Sequence, residues 1–259
     1  MPRSGNRTIR SRCSSLRPRV ADQEGVYSIP MRALAILMTL NTSVALSDAI
    51  TESDRAYLIA HLEMTTEFVV DTTRGLTKQQ WLYKPGPKSW SIAECVDHLA
   101  NTEDYVVRLL RERVLTSGEA VYGAFPSRGT SVKPDASKPQ RMSIIQDSFV
   151  VRDMTDRTQV AAVPVEQRPP IEEIAPRSSF EDPESALQLF LKVRNATLRY
   201  VRTTNDDLRG HFLTAPLPRF NVQFADAYQW ILRMSAHVER HLMQVHEIRR
   251  SKGYPRVSP

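Results

Sequence analysis

Four stretches of about twenty to thirty residues repeat apolar side chains at helical spacing, and proline or glycine closes each one. This pattern constrains the fold more than any other feature of the chain. The first runs from about Ser53 to Thr73, with Leu58, Leu62, Phe68 and Val69 on its apolar stripe and Gly75 as its stop. The second begins at Ser91-Ile92-Ala93-Glu94, a capping box in which the serine oxygen and the glutamate carboxylate each take a free amide of the first turn. Trp90 precedes that cap, in position to staple against Cys95, and Ile92, Val96, Leu99, Val106 and Leu110 carry the stripe toward Leu115. The third opens at Asp182-Pro183-Glu184 and ends near Leu208-Arg209-Gly210. The fourth runs from about Asn221 to Ser251, with Ala227, Ile231, Val238, Leu242 and Val245 in register and Gly253 and Pro255 as stops. No segment alternates as a strand does. The expected fold is therefore all-α, a four-helix bundle.

Between the second and third stretches, residues 117–180 are irregular and carry Pro126, Pro134, Pro139, Pro164, Pro169, Pro170 and Pro176. One short helix is expected there, from about Ser143 to Thr155. So long a connection either crosses the bundle or shapes a site. The run Lys84-Pro85-Gly86-Pro87-Lys88-Ser89 reads as a stiff turn.

The amino-terminal part differs in kind. Residues 1–30 are rich in Arg, Ser and Pro without apolar period, and read as disordered or untranslated. Met31-Arg32 then leads into the apolar run Ala33–Leu46, followed by Ser47-Asp48-Ala49, the layout of a secretory signal with a small-x-small cleavage site. Translation from Met31 and cleavage after Ala49 would export a mature domain of residues 50–259, periplasmic or extracellular; without export the protein would be cytoplasmic. The run is short for a membrane span and is interrupted by Asn41-Thr42-Ser43, and no later segment is apolar enough to span. Residues 1–49 hold seven Lys/Arg against three acids, so only +2 of the net +6 falls on 50–259. That balance gives no electrostatic case for nucleic acid. Cys13 and Cys95 suggest no disulfide framework.

The residues with chemical potential are histidines. His237 and His241 are one turn apart on one face of the fourth stretch, which also carries Trp230, Met234 and Gln244. His98 lies in the second. Two imidazoles from one helix and one from a facing helix make a three-ligand site with an open position, the arrangement of a catalytic metal. Gln244, one turn beyond His241, is placed to hydrogen-bond a ligand ring or to pack against another helix. Cys95 and His61 read as buried core residues rather than further ligands, Glu239 and His246 as surface groups, and Trp230 and Tyr228 as core. No Gly-rich phosphate loop, G-x-S-x-G elbow or Cys-x-x-Cys pair occurs.

The runs Trp90-Ser91-Ile92-Ala93-Glu94-Cys95-Val96-Asp97-His98-Leu99-Ala100 and His237-Val238-Glu239-Arg240-His241-Leu242-Met243-Gln244-Val245 resemble the DinB-like proteins, in order and in separation. The Lys84-Pro85 turn, the Arg157…Pro164 region and Asp206-Asp207-Leu208 also resemble that family, so the likeness spans roughly 52–250. The resemblance implies a bundle with up-down-down-up connectivity and a divalent metal, zinc or nickel, held by His98, His237 and His241. It implies a small-molecule substrate, with either hydrolysis or thiol S-transfer as the reaction, and a homodimer as a frequent assembly. The alternative is a non-catalytic, stress-related bundle whose metal is structural or vestigial. Export would favour hydrolysis, because low-molecular-weight thiols are scarce outside the cytoplasm.

Overall fold

The computed structural model describes residues 50–118, 121, 143–144, 146–155, 172–177, 179–215 and 223–256. The proposed signal segment and most of the irregular connection lie outside the described residues.

Four long helices make the bundle. They are α1 (Glu52–Thr73), α3 (Ile92–Leu109), α5 (Glu184–Thr203) and α6 (Ala227–Arg250). Two short ones accompany them, α2 (Lys78–Leu82) and α4 (Asp147–Thr155). The bundle helices pack as α1 on α5, α5 on α3, α3 on α6 and α6 on α1. Two core clusters give their directions. One holds Leu58 and Leu62 of α1, Val106 and Leu109 of α3, Leu198 and Val201 of α5, and Trp230 and Ile231 of α6. The other holds Val69, Ile92 with Cys95 and Val96, Ala186 with Phe190, and Val238 with Leu242 and Val245. Helices α1 and α6 therefore enter at the first cluster and leave at the second, whereas α3 and α5 run the opposite way. This is up-down-down-up. Parallel α3 and α5 require the intervening chain to travel back along the bundle, which accounts for the length of the connection.

The local chemistry sets the helix ends. Ser91 Oγ accepts from Glu94 N at 3.2 Å and Glu94 Oε2 accepts from Ser91 N at 2.8 Å, while Lys84 Nζ donates to Glu94 Oε1 at 2.7 Å and ties the proline-rich turn to the cap. At α1 the cap is Thr51 rather than Ser53, again as a capping box, with Asp54. Gly75, at φ +69°, takes the left-handed turn after α1 that a side chain would disfavour. Pro183 already has helical angles, and Asp182 Oδ1 accepts from Glu184 N at 3.1 Å, so Asp182 does the capping expected of it. Helix α2 has its own capping box, Thr77 with Gln80, and buries Trp81; at five residues it is too short to show a period. Helix α3 closes in one π turn, Leu110–Val114, with Leu115 N donating to Leu110 O at 2.9 Å.

Three further expectations are corrected. Helix α5 ends at Thr203 rather than near Leu208-Arg209-Gly210, with Thr204 N donating to Tyr200 O at 2.8 Å as its last bond. Helix α6 starts at Ala227, not near Asn221, because Gln223–Asp226 is strand β3. It pairs antiparallel with β2 (Phe212–Ala215), Leu213 opposite Ala225, and parallel with β1 (Ser143–Ile144), in the order β1-β3-β2. Asp226 then caps α6, accepting from Gln229 N at 2.7 Å. The short internal helix likewise begins at Asp147, since Ser143–Ile144 belongs to the sheet. Arg209 joins three elements: its guanidinium donates to Asp54, Asp147 and Asp226 and lies 3.7 Å from the centre of the Tyr228 ring. Among the described residues, no helix is long and apolar enough to cross a membrane.

Candidate metal centre

Helices α3 and α6 pack against each other and bring His98, His237 and His241 together. Each ring offers one nitrogen, and these nitrogens all lie within 4.8 Å of one another. The rings meet edge to face, with centroids 5.3 Å apart for His98–His237, 4.9 Å for His98–His241 and 4.5 Å for His237–His241. His98 and His241 are buried and His237 is half-buried.

Hydrogen bonds set the tautomers. A carbonyl can only accept, so His98 Nδ1–H donates to Ile174 O at 2.6 Å, leaving Nε2 with its lone pair. His241 Nδ1–H likewise donates to Gln244 Oε1 at 2.9 Å. The 3.0 Å contact between His241 Nε2 and His237 Nε2 is then a hydrogen bond given by His237. Burial holds all three rings neutral. It is the leading cause in each, pushing His98 down to about 4 against the raising effects of Ile174 O and Asp97. It holds His237 and His241 well below the usual histidine range, where the neighbouring imidazoles and arginines lower them further.

This donor set fits a divalent ion. A metal–nitrogen distance near 2.0–2.1 Å puts neighbouring ligand nitrogens about 3.3 Å apart in a tetrahedral site and about 2.9 Å apart in an octahedral one. The observed 3.0 Å between the two α6 nitrogens lies in that interval. Transfer of the His237 proton from Nε2 to Nδ1 of the same ring leaves both Nε2 atoms with neutral lone pairs, which is the state a metal requires. Among the described residues the cluster has three ligand groups, one fewer than a closed structural zinc site has.

The other sequence candidates resolve individually. Gln244 is hydrogen-bonded to His241. Cys95 is fully buried within the apolar cluster, and burial raises its thiol pKa; it is not part of the histidine group. His61 is a satisfied core residue, Nδ1 to Ser235 Oγ at 2.8 Å. His246 is exposed, and Trp230 and Tyr228 are buried. Glu239 is a correction: its side chain is 27% exposed, with Oε1 3.7 Å from His61 Nε2, and burial raises its carboxyl pKa. It points away from the histidine cluster, as spacing requires, but into the α1–α6 seam.

Several contributors were not foreseen. Trp90 does not only staple the cap: its ring lies 4.8 Å from that of His98 and stacks on His241 at 5.9 Å and 18°. Its place directly before the capped helix carrying His98 was the available signal. The Ile174 carbonyl comes from a 3-10 turn, Glu172–Ile174, whose sequence gave no signal. Asp97 and Arg177 were also missed.

A family model described as the DinB superfamily matches residues 61–245. Among solved structures the chain is similar to YfiT from Bacillus subtilis, described as a probable metal-dependent hydrolase with an unusual four-helix bundle topology. Identity is 13%, the match covers 80% of this chain and 92% of that one, and the TM-score is 0.44. No curated protein matches the chain. The family match takes in both histidine-bearing helices and most of α1, and the chain belongs to the DinB superfamily.

Proposed function

We propose that this protein is a metal-dependent hydrolase acting on a small molecule, with His98, His237 and His241 holding one zinc or nickel ion. The observation that carries the reading is the convergence of three neutral imidazoles whose ring nitrogens are already assigned by hydrogen bonds. When bound, such an ion acidifies a water or thiol that it touches and so supplies a nucleophile near neutral pH. Ile174 O and Gln244 Oε1 keep two ring protons on the far nitrogens, which directs the lone pairs inward. Trp90 covers the flank of His98 and His241, keeping water from those ring faces. His237 retains partial exposure, so the cluster is approachable from its side. Among the described residues there are three protein ligands rather than four, which favours a catalytic over a structural ion.

Water rather than a thiol is the proposed co-substrate because the layout of residues 31–49 is that of an export signal, and low-molecular-weight thiols are scarce beyond the cytoplasm. Elemental mass spectrometry of the purified chain beside a His237→Ala/His241→Ala variant tests the site. Near-stoichiometric metal that is lost in the variant supports it. A parent that stays metal-free after loading with zinc or nickel refutes it. Turnover of an ester and amide panel by the loaded parent supports hydrolysis, whereas conjugation of a thiol to an electrophile instead would assign S-transfer.

A further inference from the structure

Asp97 precedes the histidine of α3, and its carboxylate is fully buried. Among the described residues its cation comes from the connection, 80 residues away, rather than from another bundle helix. Arg177 N donates to Asp97 Oδ2 at 2.9 Å, Arg177 Nε to Oδ1 at 2.8 Å, and the guanidinium terminus to Oδ1 at 2.7 Å. Asn101 Nδ2 adds a bond to Oδ2 at 3.2 Å and another to Ala175 O at 2.9 Å. One turn of α3 thus holds the backbone of a short piece of the connection at residues 175 and 177. Ile174, only 4% exposed, anchors the same piece in the core. Its carbonyl is the group that accepts the His98 Nδ1 proton.

Docking a loop does not require a buried carboxylate. Charge burial is costly, and an apolar contact would hold the segment at lower desolvation cost. What the pair provides is a fixed angle: two bonds from one edge of a planar guanidinium converge on Oδ1 and one from the arginine's own backbone reaches Oδ2, and together they define where the peptide three residues upstream points. We infer that Asp97 and Arg177 are positioning residues, a clamp that holds the Ile174 carbonyl against His98 and so keeps Nε2 of that ring free for a divalent ion. The effect on metal affinity rests on the metal-site reading; the effect on the His98 tautomer does not.

The test uses the full chain, labelled with nitrogen-15 and stripped of metal, in Arg177→Ala, Arg177→Lys and Asp97→Asn variants. Long-range proton–nitrogen spectra report the tautomer of His98, identified by the signal that a His98→Gln variant loses. Zinc affinity is read by competition with a chromophoric chelator. In the parent His98 is a single Nδ1–H species. Arg177→Ala is expected to give a mixture with Nε2–H and zinc binding about tenfold weaker, the lower end of the range for groups that orient a ligand, with Arg177→Lys between the two. A tautomer unchanged in both Arg177→Ala and Asp97→Asn overturns the clamp, even if melting temperature falls, because that is all a merely structural tether would lose. Should Asp97→Asn fail to fold, Arg177→Ala decides alone, since its side chain is nearly half-exposed. If the parent binds no zinc, the metal reading fails, and the tautomer measurement still decides the clamp.

Discussion

Glu103 of α3 and Arg194 of α5 form the most consequential pair in the bundle core, with side chains 3% and 0% exposed. Arg194 Nε donates to both Glu103 oxygens at 3.0 Å and its terminus to Oε2 at 2.7 Å, while its other amino group donates to Leu62 O and Thr65 Oγ1 of α1, each at 2.8 Å. One guanidinium thus joins three helices. Glu103→Ala leaves Nε and one amino group buried without an acceptor, and the charge without its counter-ion. Breaking a buried pair in this way costs about 3–5 kcal/mol. With a urea m-value of about 2 kcal/mol/M the midpoint should fall by roughly 1.5–2.5 M, and the melting temperature by about 6–20 °C. Arg194→Met should cost about as much, for the complementary reason that the carboxylate is then stranded. The double variant Glu103→Leu/Arg194→Met removes both charges together and should be at least about 2 kcal/mol more stable than either single. Equilibrium unfolding of the metal-free protein, followed by circular dichroism at constant m, measures all three. If the single effects add to within about 0.5 kcal/mol in the double, the pair is not coupled and the reasoning fails.

Three other outcomes follow from the same geometry. Gln244→Ala removes the acceptor that fixes the His241 Nδ1 proton and should weaken zinc binding about tenfold or more, read by chelator competition. Ser91→Ala removes the buried cap of the helix that carries His98 and should cost about 1 kcal/mol in urea unfolding, with no change in m. His61 is held below the usual histidine range by burial first and by Arg194 second. The unfolded chain therefore binds its proton more readily than the native one. The stability that His61 contributes is complete above about pH 6.5 and is lost as pH falls toward the folded-state value, so His61→Asn should flatten the slope of stability against pH in that acid window. An unchanged slope would show that His61 is not buried neutral.

What the sequence revealed was what neighbouring residues decide among themselves. The Ser91/Glu94 box and the His237/His241 pair were legible because each is complete within a single turn. That His98 joins that pair was not legible from spacing, since 139 residues separate it from His237; the expectation that bundles build metal sites across facing helices, and the order of motifs shared with the DinB family, suggested it. Strands β2 and β3 were missed for the converse reason. Four residues each carry too little pattern to register, and each is a strand because distant segments pair with it, β2 with β3 and β3 also with β1. Ile174 and Arg177 act through backbone and side-chain bonds across some 76 to 80 residues, a range at which composition is silent.

Glu239 shows how a correct local rule led to a wrong surface assignment. Helical spacing does turn its side chain off the His237/His241 face. The inference from there to solvent assumes that α6 has one buried side. It does not: Ala227 through Ala236 are buried without interruption, because α4 and β3 cover the amino-terminal half in addition to α1 and α3. Along that half a periodic stripe carries no information about direction, since every direction meets protein. Further along, α6 still has α1 on one side and α3 on the other. A residue that turns away from α3 therefore turns toward α1, and the carboxylate of Glu239 arrives beside His61. In a bundle helix flanked by two neighbours, the opposite of the site is another interface, and a charged residue there is better read as a candidate partner for whatever polar group the next helix buries.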